Sequence, residues 1–206
     1  SAYLHSVPSP ATGRVGCIVA NCNPFTLGHR YLIETAAGLC DYLHVFILSE
    51  DRGILPPETR LKIAREACAD IKNAAFHPTG MYMVSAATFP DYFIRNKARR
   101  DEIFCDLDLT LFAGRIAPAL RISRRFVGTE PYSETTRTYN EAMKRLLPPR
   151  GIELIEIPRL EADGAPVSAS RVRALLNAGQ LEQARSLVPE NCFQELLIKN
   201  HGGTHS

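Results

Sequence analysis

Short apolar runs alternate with helical patterns along most of this chain, and that alternation limits the fold more than any other feature of the sequence. Five runs have the length of buried strands, and the segments between them carry apolar residues at helical spacing. The five candidate strands are Val15–Ala20, Tyr42–Leu48, Ala74–His77, Arg125–Val127 and Ile152–Ile157.

This order favours an α/β domain with a parallel sheet covered on both faces. Parallel neighbours need crossover connections, which are right-handed, and ligands of such sheets bind at the carboxyl ends of the strands. Helical patterns begin at Thr26 and at Pro56, cover 106–120 and 133–147, and return from Ser170. We therefore expect a five-stranded parallel sheet, helices on both faces and a short C-terminal helical tail.

Composition favours one domain. The chain has 206 residues, of which 45% are hydrophobic, and this is enough for one sizeable α/β core. We expect residues 1–13 to be a linker from an upstream domain, residues 14–200 to form the domain, and residues 201–206 to be a disordered tail. A formal net charge of +2 is too small to predict the basic surface that nucleic-acid binding requires.

Cysteine usage and hydropathy indicate the compartment. The six cysteines are scattered and form no CxxC pair, which favours buried, reduced thiols. No stretch reaches the ~18 apolar residues of a membrane span, and the N-terminus lacks the order of a secretory signal. We therefore expect a soluble, cytoplasmic protein that does not associate with membranes.

The turn after the first candidate strand predicts an anion site. It reads Asn-Pro-Phe-Thr-Leu-Gly-His over 23–29, so a helix begins where a strand ends. A helix N-terminus carries about half a positive charge and several unpaired N–H groups, and phosphate binds there readily. Thr26 is a plausible N-cap, Gly28 allows close approach of a nucleotide, and His29 could donate a hydrogen bond to the α-phosphate.

A purely structural interpretation of this turn is also open. Thr26 could merely cap the helix while His29 packs against the sheet. The position directly after a buried strand, with Asn23-Pro24 upstream, favours the functional interpretation.

A second candidate helix start follows the fifth strand. The chain reads Val-Ser-Ala-Ser-Arg-Val-Arg over 167–173 and then becomes amphipathic, so we predict Ser170 as its N-cap. Arg173 would then lie in the first turn, where it could hold the β- and γ-phosphates and the departing pyrophosphate, while Arg171 points elsewhere. A capped helix with surface arginines is the alternative. Two such helix starts at the same sheet edge would make a site long enough for a triphosphate.

These two elements resemble the HxGH and ISSTxxR motifs of the nucleotidyltransferase superfamily. Threonine stands in place of the first histidine, as in pantetheine-phosphate adenylyltransferases. The resemblance implies a Rossmann-like fold of the HIGH-type nucleotidyltransferases, ATP and Mg²⁺ as cosubstrates, and cleavage between the α- and β-phosphates. It also implies that Gly128, Thr129 and Glu130 contact adenosine.

A closer resemblance covers nearly all of the chain from Val15. The segments 23–32, 85–94, 125–132 and 167–173 resemble citrate lyase ligase. Members of that family activate acetate with ATP and acetylate the thiol of the dephospho-CoA-derived prosthetic group on the citrate lyase acyl carrier subunit, releasing AMP and diphosphate. They usually carry an acetyltransferase-like domain before this one, so the chain resembles the adenylating half.

The motifs and the resemblance together define the predicted site. We expect no dedicated metal ligands in the protein, because Asp106 and Asp108 do not share a helix face and magnesium would arrive with ATP. The residues expected to act in catalysis are Thr26, His29, Ser170 and Arg173. The residues expected to bind the nucleotide are Asn23, Phe25, Thr26, Gly28, His29, Gly128, Thr129, Glu130, Ser168, Ser170 and Arg173.

The sequence leaves several alternatives open. The acceptor could be a phosphorylated molecule of the pantetheine-phosphate or nicotinamide-nucleotide type, or the fold could serve as a nucleotide-sensing module without turnover. The segment 81–93 could form the acceptor pocket, a surface for the carrier protein, or ordinary loop and core packing. Cys17 and Cys22 near the first strand are expected to be core residues, although a cysteine acyl relay stays possible.

Overall fold

A parallel five-stranded sheet forms the centre of the domain. The computed structural model describes residues 7–49, 53–80, 97–129 and 134–202. The strands of the main sheet are β1 (Val15–Ala20), β2 (Tyr42–Ile47), β3 (Ala74–Pro78), β4 (Ile122–Gly128) and β5 (Glu153–Ile157). A two-stranded antiparallel hairpin, which the sequence did not predict, contains β6 (Glu161–Ala162) and β7 (Ala165–Pro166).

Helices connect the strands and follow them. Those between strands are α1 (Leu27–Gly38), α2 (Pro57–Ala67), α3 (Lys97–Leu111), a π-helical turn (Phe112–Ile116), α4 (Ala117–Ala119), α5 (Glu134–Leu146) and a 3₁₀ turn (Pro148–Arg150). The C-terminal helices are α6 (Ala169–Asn177), α7 (Leu181–Arg185) and α8 (Glu190–Gly202). Within these described residues, no helix is long and apolar enough to cross a membrane.

Strand order places the ligand crevice. The sheet runs β3-β2-β1-β4-β5 with every neighbouring pair parallel. The chain builds outward from β1 to β3 and then returns to place β4 on the other side of β1. The order therefore reverses between β1 and β4, and the crevice at their carboxyl ends is where such sheets bind ligands.

Both faces of the sheet are covered, as predicted. Alternate residues of β1 separate two cores, because successive strand side chains point to opposite faces. Ile18 belongs to the core formed with α1, α2 and the C-terminal helices, and Cys17 belongs to the core formed with α3, the π-helical turn and α5. All six cysteines are buried and unpaired, which confirms the expected free thiols.

Some element boundaries differ from the sequence prediction. The helix predicted over 106–120 is described from Lys97 and changes to a π-helical turn at Phe112. The prediction placed its start too late because it recognised no cap residue or proline at the beginning of this helix. Strand β4 begins three residues earlier than predicted, since Arg121 takes a left-handed conformation (φ 56°) that separates the helix from the strand. Residues 7–13 of the predicted linker are described. Within them, Val7 is buried and the Ser9 hydroxyl donates a hydrogen bond to the carbonyl of Leu120.

A buried histidine pair lies on the sheet. His44 Nδ1 of β2 is 3.2 Å from His77 Nε2 of β3, and His44 is fully buried beside Phe46. The pKa of each imidazole is lowered from an ordinary value of 6.5 to about 4, mainly by burial. Both rings are therefore neutral in the folded protein at pH 7.

We expect the free energy of unfolding to fall as the pH is lowered from about 6.5 towards 4. The unfolded chain takes up protons first in that window, because the folded pKa values lie below the unfolded ones, and each such histidine contributes a slope of up to about 1.4 kcal/mol per pH unit. Urea unfolding across this range measures the slope, and His77→Gln should reduce it. A wild-type stability that does not change between pH 6.5 and 4.5 would contradict the prediction.

Candidate functional site

A cavity of about 450 Å³ opens at the carboxyl ends of β1 and β4. Its walls come from the end of β1, the start of α1, the ends of β4 and β5, and the start of α6. The predicted residues that line it are Thr26, Gly28, His29, Gly128, Ser168, Ser170 and Arg173. The structure therefore brings both sequence motifs to one cavity.

The start of α1 is fixed by a reciprocal cap between Thr26 and His29. The Thr26 hydroxyl accepts a hydrogen bond from the backbone N–H of His29 (3.3 Å), and the Thr26 backbone N–H donates to His29 Nδ1 (3.0 Å). This is the geometry of a capping box in which histidine takes the usual place of glutamate. Thr26 is therefore the N-cap of α1, as predicted, and its side chain is fully buried.

The cap also decides which nitrogen of His29 carries the proton. A backbone N–H can only donate, so Nδ1 must accept, and the proton of the neutral ring lies on Nε2. Burial, followed by the positive charge of Arg159, lowers the pKa of His29 to about 4. At neutral pH the ring therefore offers one N–H donor and holds no positive charge.

Gly28 is where the two motif segments meet. A Cβ atom at this position would lie 2.3 Å from the backbone carbonyl oxygen of Val167, far inside any permitted contact. Glycine is therefore required by the approach of the second segment, rather than by close approach of a nucleotide alone. The contact explains how segments about 140 residues apart in the sequence share one cavity.

The second helix start differs from the prediction by two residues. The N-cap of α6 is Ser168, whose hydroxyl accepts from the backbone N–H of Arg171 (3.2 Å), and the predicted cap Ser170 lies inside the first turn. Ser170 nevertheless lines the cavity. The side chain of Arg171 donates to the carbonyl oxygens of Ala162 and Ala165 in the hairpin, which agrees with its expected direction away from the site.

Arg173 reaches the cavity from α6 despite the changed cap. It is the fifth residue of the helix rather than a residue of its first turn. Its Nη1 donates to the carbonyl oxygen of Asn23 (2.6 Å), so the guanidinium is held against the loop after β1. It also borders a second concavity beside the cavity, formed with Asn21, Asn23, Gly53 and Ile54.

Three predicted nucleotide-binding residues do not line the cavity. The ring of Phe25 is fully buried in the core, because the turn directs it inward beneath α1. The Asn23 side chain accepts from the backbone N–H of Ile54 (2.9 Å), and so it shapes the neighbouring loop and faces the second concavity. Thr129 contacts the cavity-lining residue Arg159, because its backbone carbonyl accepts a hydrogen bond from Arg159 Nε. Glu130 lies outside the described residues, as does the predicted acceptor segment 81–93.

Arg159 is the principal site residue that the sequence prediction missed. It stands two residues after β5 and lines the cavity. A cation directly after the fifth strand was a usable signal, because the carboxyl ends of parallel strands meet at one edge. Asn21, Tyr31 and Thr136 also line the cavity and were not among the predicted site residues.

The cavity is an anion site by its charges. Among its described lining residues, the charged side chains are those of Arg159 and Arg173, and none is a carboxylate. Two capped helix starts add the partial positive charge of their N–H groups. The arrangement suits a ligand with several negative charges.

Among the described residues, no group of three or more histidine, cysteine, aspartate or glutamate side chains has the arrangement to hold a metal ion. Asp108 accepts a hydrogen bond from the hydroxyl of Tyr139, whereas Asp106 pairs with Arg145 at the surface (2.6 Å). The two carboxylates thus have different surroundings.

The sheet order and the two helix starts define a Rossmann-like domain of the nucleotidyltransferase type. Solved structures share this fold. Thermotoga maritima TmcAL bound with alpha-thio ATP is 16% identical with a TM-score of 0.56, over 92% of this chain and 56% of that one. Pantothenate synthetase from Thermus thermophilus is 18% identical with a TM-score of 0.56, over 95% of this chain and 79% of that one.

The chain belongs to the citrate lyase ligase C-terminal domain family, whose family model matches residues 15–196. It is 44% identical over 188 residues to the [citrate [pro-3S]-lyase] ligase of Klebsiella pneumoniae, a match that covers 89% of this chain and 55% of the relative. The enzyme of the same name from Escherichia coli is 45% identical over 183 residues, covering 85% and 51%. The chain thus spans about half the length of these curated relatives.

Proposed function

We propose that this domain activates acetate by adenylyl transfer from ATP and passes the acetyl group to the thiol of the dephospho-CoA-derived prosthetic group on a citrate lyase acyl carrier subunit. The observation that carries the proposal is the convergence of His29, Ser168, Ser170 and Arg173 on one cationic cavity at the β1–β4 crevice. Membership of the citrate lyase ligase family selects acetate as the acceptor of the adenylyl group.

The chemistry divides into two balanced steps. A carboxylate oxygen of acetate attacks the α-phosphorus, a new O–P bond forms, and the bond to the β-phosphate oxygen breaks to release diphosphate. The carrier thiol then attacks the acetyl carbonyl of the adenylate, a thioester forms, and AMP leaves while the thiol proton passes to solvent. Magnesium would accompany the triphosphate of ATP, because the described lining offers no carboxylate to hold it.

Each residue has a role that its contacts support. His29 Nε2–H would donate to an oxygen of the α-phosphate, where charge grows as the phosphorus becomes five-coordinate. Arg173 and the start of α6 would hold the β- and γ-phosphates and the departing diphosphate. Both motifs then act by orientation and by charge, without a strong base.

The domain's own cysteines are poor candidates for an acyl relay. Cys17 and Cys22 are both buried, and burial raises the pKa of each thiol. A reactive thiolate needs a lowered pKa and access to the acyl group. We therefore assign the acyl-accepting thiol to the carrier subunit.

Exchange of labelled pyrophosphate into ATP tests the proposal. We expect exchange that requires both the protein and acetate, because only a carboxylate acceptor completes the adenylyl transfer. Exchange supported by a phosphorylated acceptor but not by acetate would overturn it in favour of a conventional adenylyltransferase. ATP binding without exchange under any acceptor would instead favour a nucleotide-sensing module.

A further inference from the structure

We propose that Arg159 binds the α-phosphate of the nucleotide, as a second arginine with a position and a task different from those of Arg173. The inference rests on the proposed function, because it assumes that the cavity holds ATP and then AMP. It concerns the phosphoryl group that is present throughout the reaction, whereas Arg173 is assigned to the part of ATP that leaves.

The two guanidinium groups are anchored to different loops. Arg173 donates to the carbonyl of Asn23, in the loop after β1 (2.6 Å). Arg159 donates through Nε to the carbonyl of Thr129, directly after β4 (2.5 Å). The two guanidinium groups are therefore held at the two strand ends that form the crevice.

The path of the Arg159 side chain indicates which part of a nucleotide it meets. A Cβ atom placed on Gly128 would lie 3.8 Å from Arg159 Cγ, so the side chain runs across the end of β4. Gly128 lines the cavity and is expected beside adenosine. The charge of Arg159 is also close enough to His29 to contribute to the lowered pKa of that imidazole. Arg159 thus lies between the adenosine side of the cavity and His29, where the α-phosphate belongs.

The chemistry of the site needs a cation at this point. His29 is held as a neutral donor by its cap with Thr26, so it supplies one hydrogen bond and no net charge. In the transition state, charge is spread over the equatorial oxygens of the α-phosphorus and develops on the departing diphosphate. A guanidinium fixed in advance by Thr129 can stabilise that charge without reorganising during the reaction.

The affinities for AMP and for pyrophosphate distinguish the role of Arg159 from that of Arg173. AMP carries the α-phosphate alone, and pyrophosphate represents the leaving group. We expect Arg159→Gln to raise the Kd for AMP about tenfold or more, because a charge-assisted hydrogen bond is lost. Arg173→Gln should leave the Kd for AMP within about twofold and raise that for pyrophosphate about tenfold. Isothermal titration of the full chain measures all four values.

Two further variants complete the test. Arg150→Gln removes an arginine that donates to the carbonyl of Leu146 on the exposed surface, and it should bind AMP like the wild type. Arg159→Lys keeps the charge and should bind AMP at least several-fold more tightly than Arg159→Gln. If the glutamine variant does not fold, Arg159→Met, which also lacks the charge, replaces it in this comparison. Unchanged AMP affinity in Arg159→Gln, or equal losses in the lysine and glutamine variants, would overturn the role of Arg159.

Failure of this inference can be told apart from failure of the proposed function. Wild-type protein that catalyses acetate-dependent exchange, with AMP affinity insensitive to Arg159, contradicts the Arg159 assignment alone. Wild-type protein that binds AMP through Arg159 but gives no acetate-dependent exchange contradicts the proposed function and supports Arg159 as a phosphate ligand.

Discussion

Replacement of His29 by alanine is expected to lower turnover in acetate-dependent exchange about 100-fold or more while weakening ATP binding much less. The imidazole is held so that Nε2–H is its sole donor, and that donor is assigned to charge that grows only in the transition state. An interaction of that kind affects kcat more than the affinity for the ground state. Steady-state kinetics, with ATP affinity measured separately, give the two quantities.

A matched pair of amides separates the two jobs of His29. His29→Asn places an amide near the Nδ1 position, so it keeps an acceptor for the Thr26 N–H and loses the donor in the cavity. His29→Gln also keeps an acceptor for the cap, because glutamine is a usual capping-box residue at this position, and it extends an amide N–H towards the Nε2 position. We expect the glutamine variant to retain clearly more turnover than the asparagine variant. Equal turnover in wild type, His29→Asn and His29→Ala would remove His29 from the phosphate chemistry.

The pH profile of turnover should carry no inflection from His29 between pH 5.5 and 8. The pKa of this imidazole is about 4 in the folded protein, so the ring stays neutral over that whole range. The Nε2–H donor is therefore present throughout.

The parts of the site that depend on local chemistry could be predicted from sequence. Thr26 was identified as a cap because a side-chain acceptor three residues before a helical N–H is a local pattern. The buried strand before Thr26 was likewise predicted from a local pattern, a short run of apolar residues. Both features are found in the structure as predicted.

The parts that depend on tertiary contacts could not be predicted in the same way. Ser168 and Ser170 are both suitable caps, and the choice is made by the hairpin, where the Val167 backbone N–H donates to the carbonyl of Leu160 (2.8 Å) and sets the chain direction before α6. Arg159 follows the fifth strand, which was a usable signal, but its place in the cavity depends on β4 and β5 pairing side by side. Phe25 is adjacent to the motif in sequence, yet it packs into the core.

Gly28→Ala should have the second large effect, and it acts on the geometry of the site rather than on its chemistry. The new methyl group would lie 2.3 Å from the Val167 carbonyl oxygen, which belongs to the backbone and is held by the hairpin. Relief of that contact has to move the start of α1 away from the start of α6. We expect the free energy of unfolding to fall by about 1–3 kcal/mol. Turnover should fall about 100-fold, because a shift of about 1 Å misplaces the phosphate between the two segments.

Gly38→Ala provides the control within the same helix. A Cβ atom at Gly38 meets no atom within 4 Å, and alanine favours helical backbone by about 0.5–1 kcal/mol over glycine. This variant should be as stable as the wild type or slightly more so, with unchanged exchange activity. Urea unfolding and pyrophosphate exchange on both variants decide the outcome. If Gly28→Ala retained wild-type stability and turnover, contact between the two motif segments could not be what aligns His29 with Arg173 around one nucleotide.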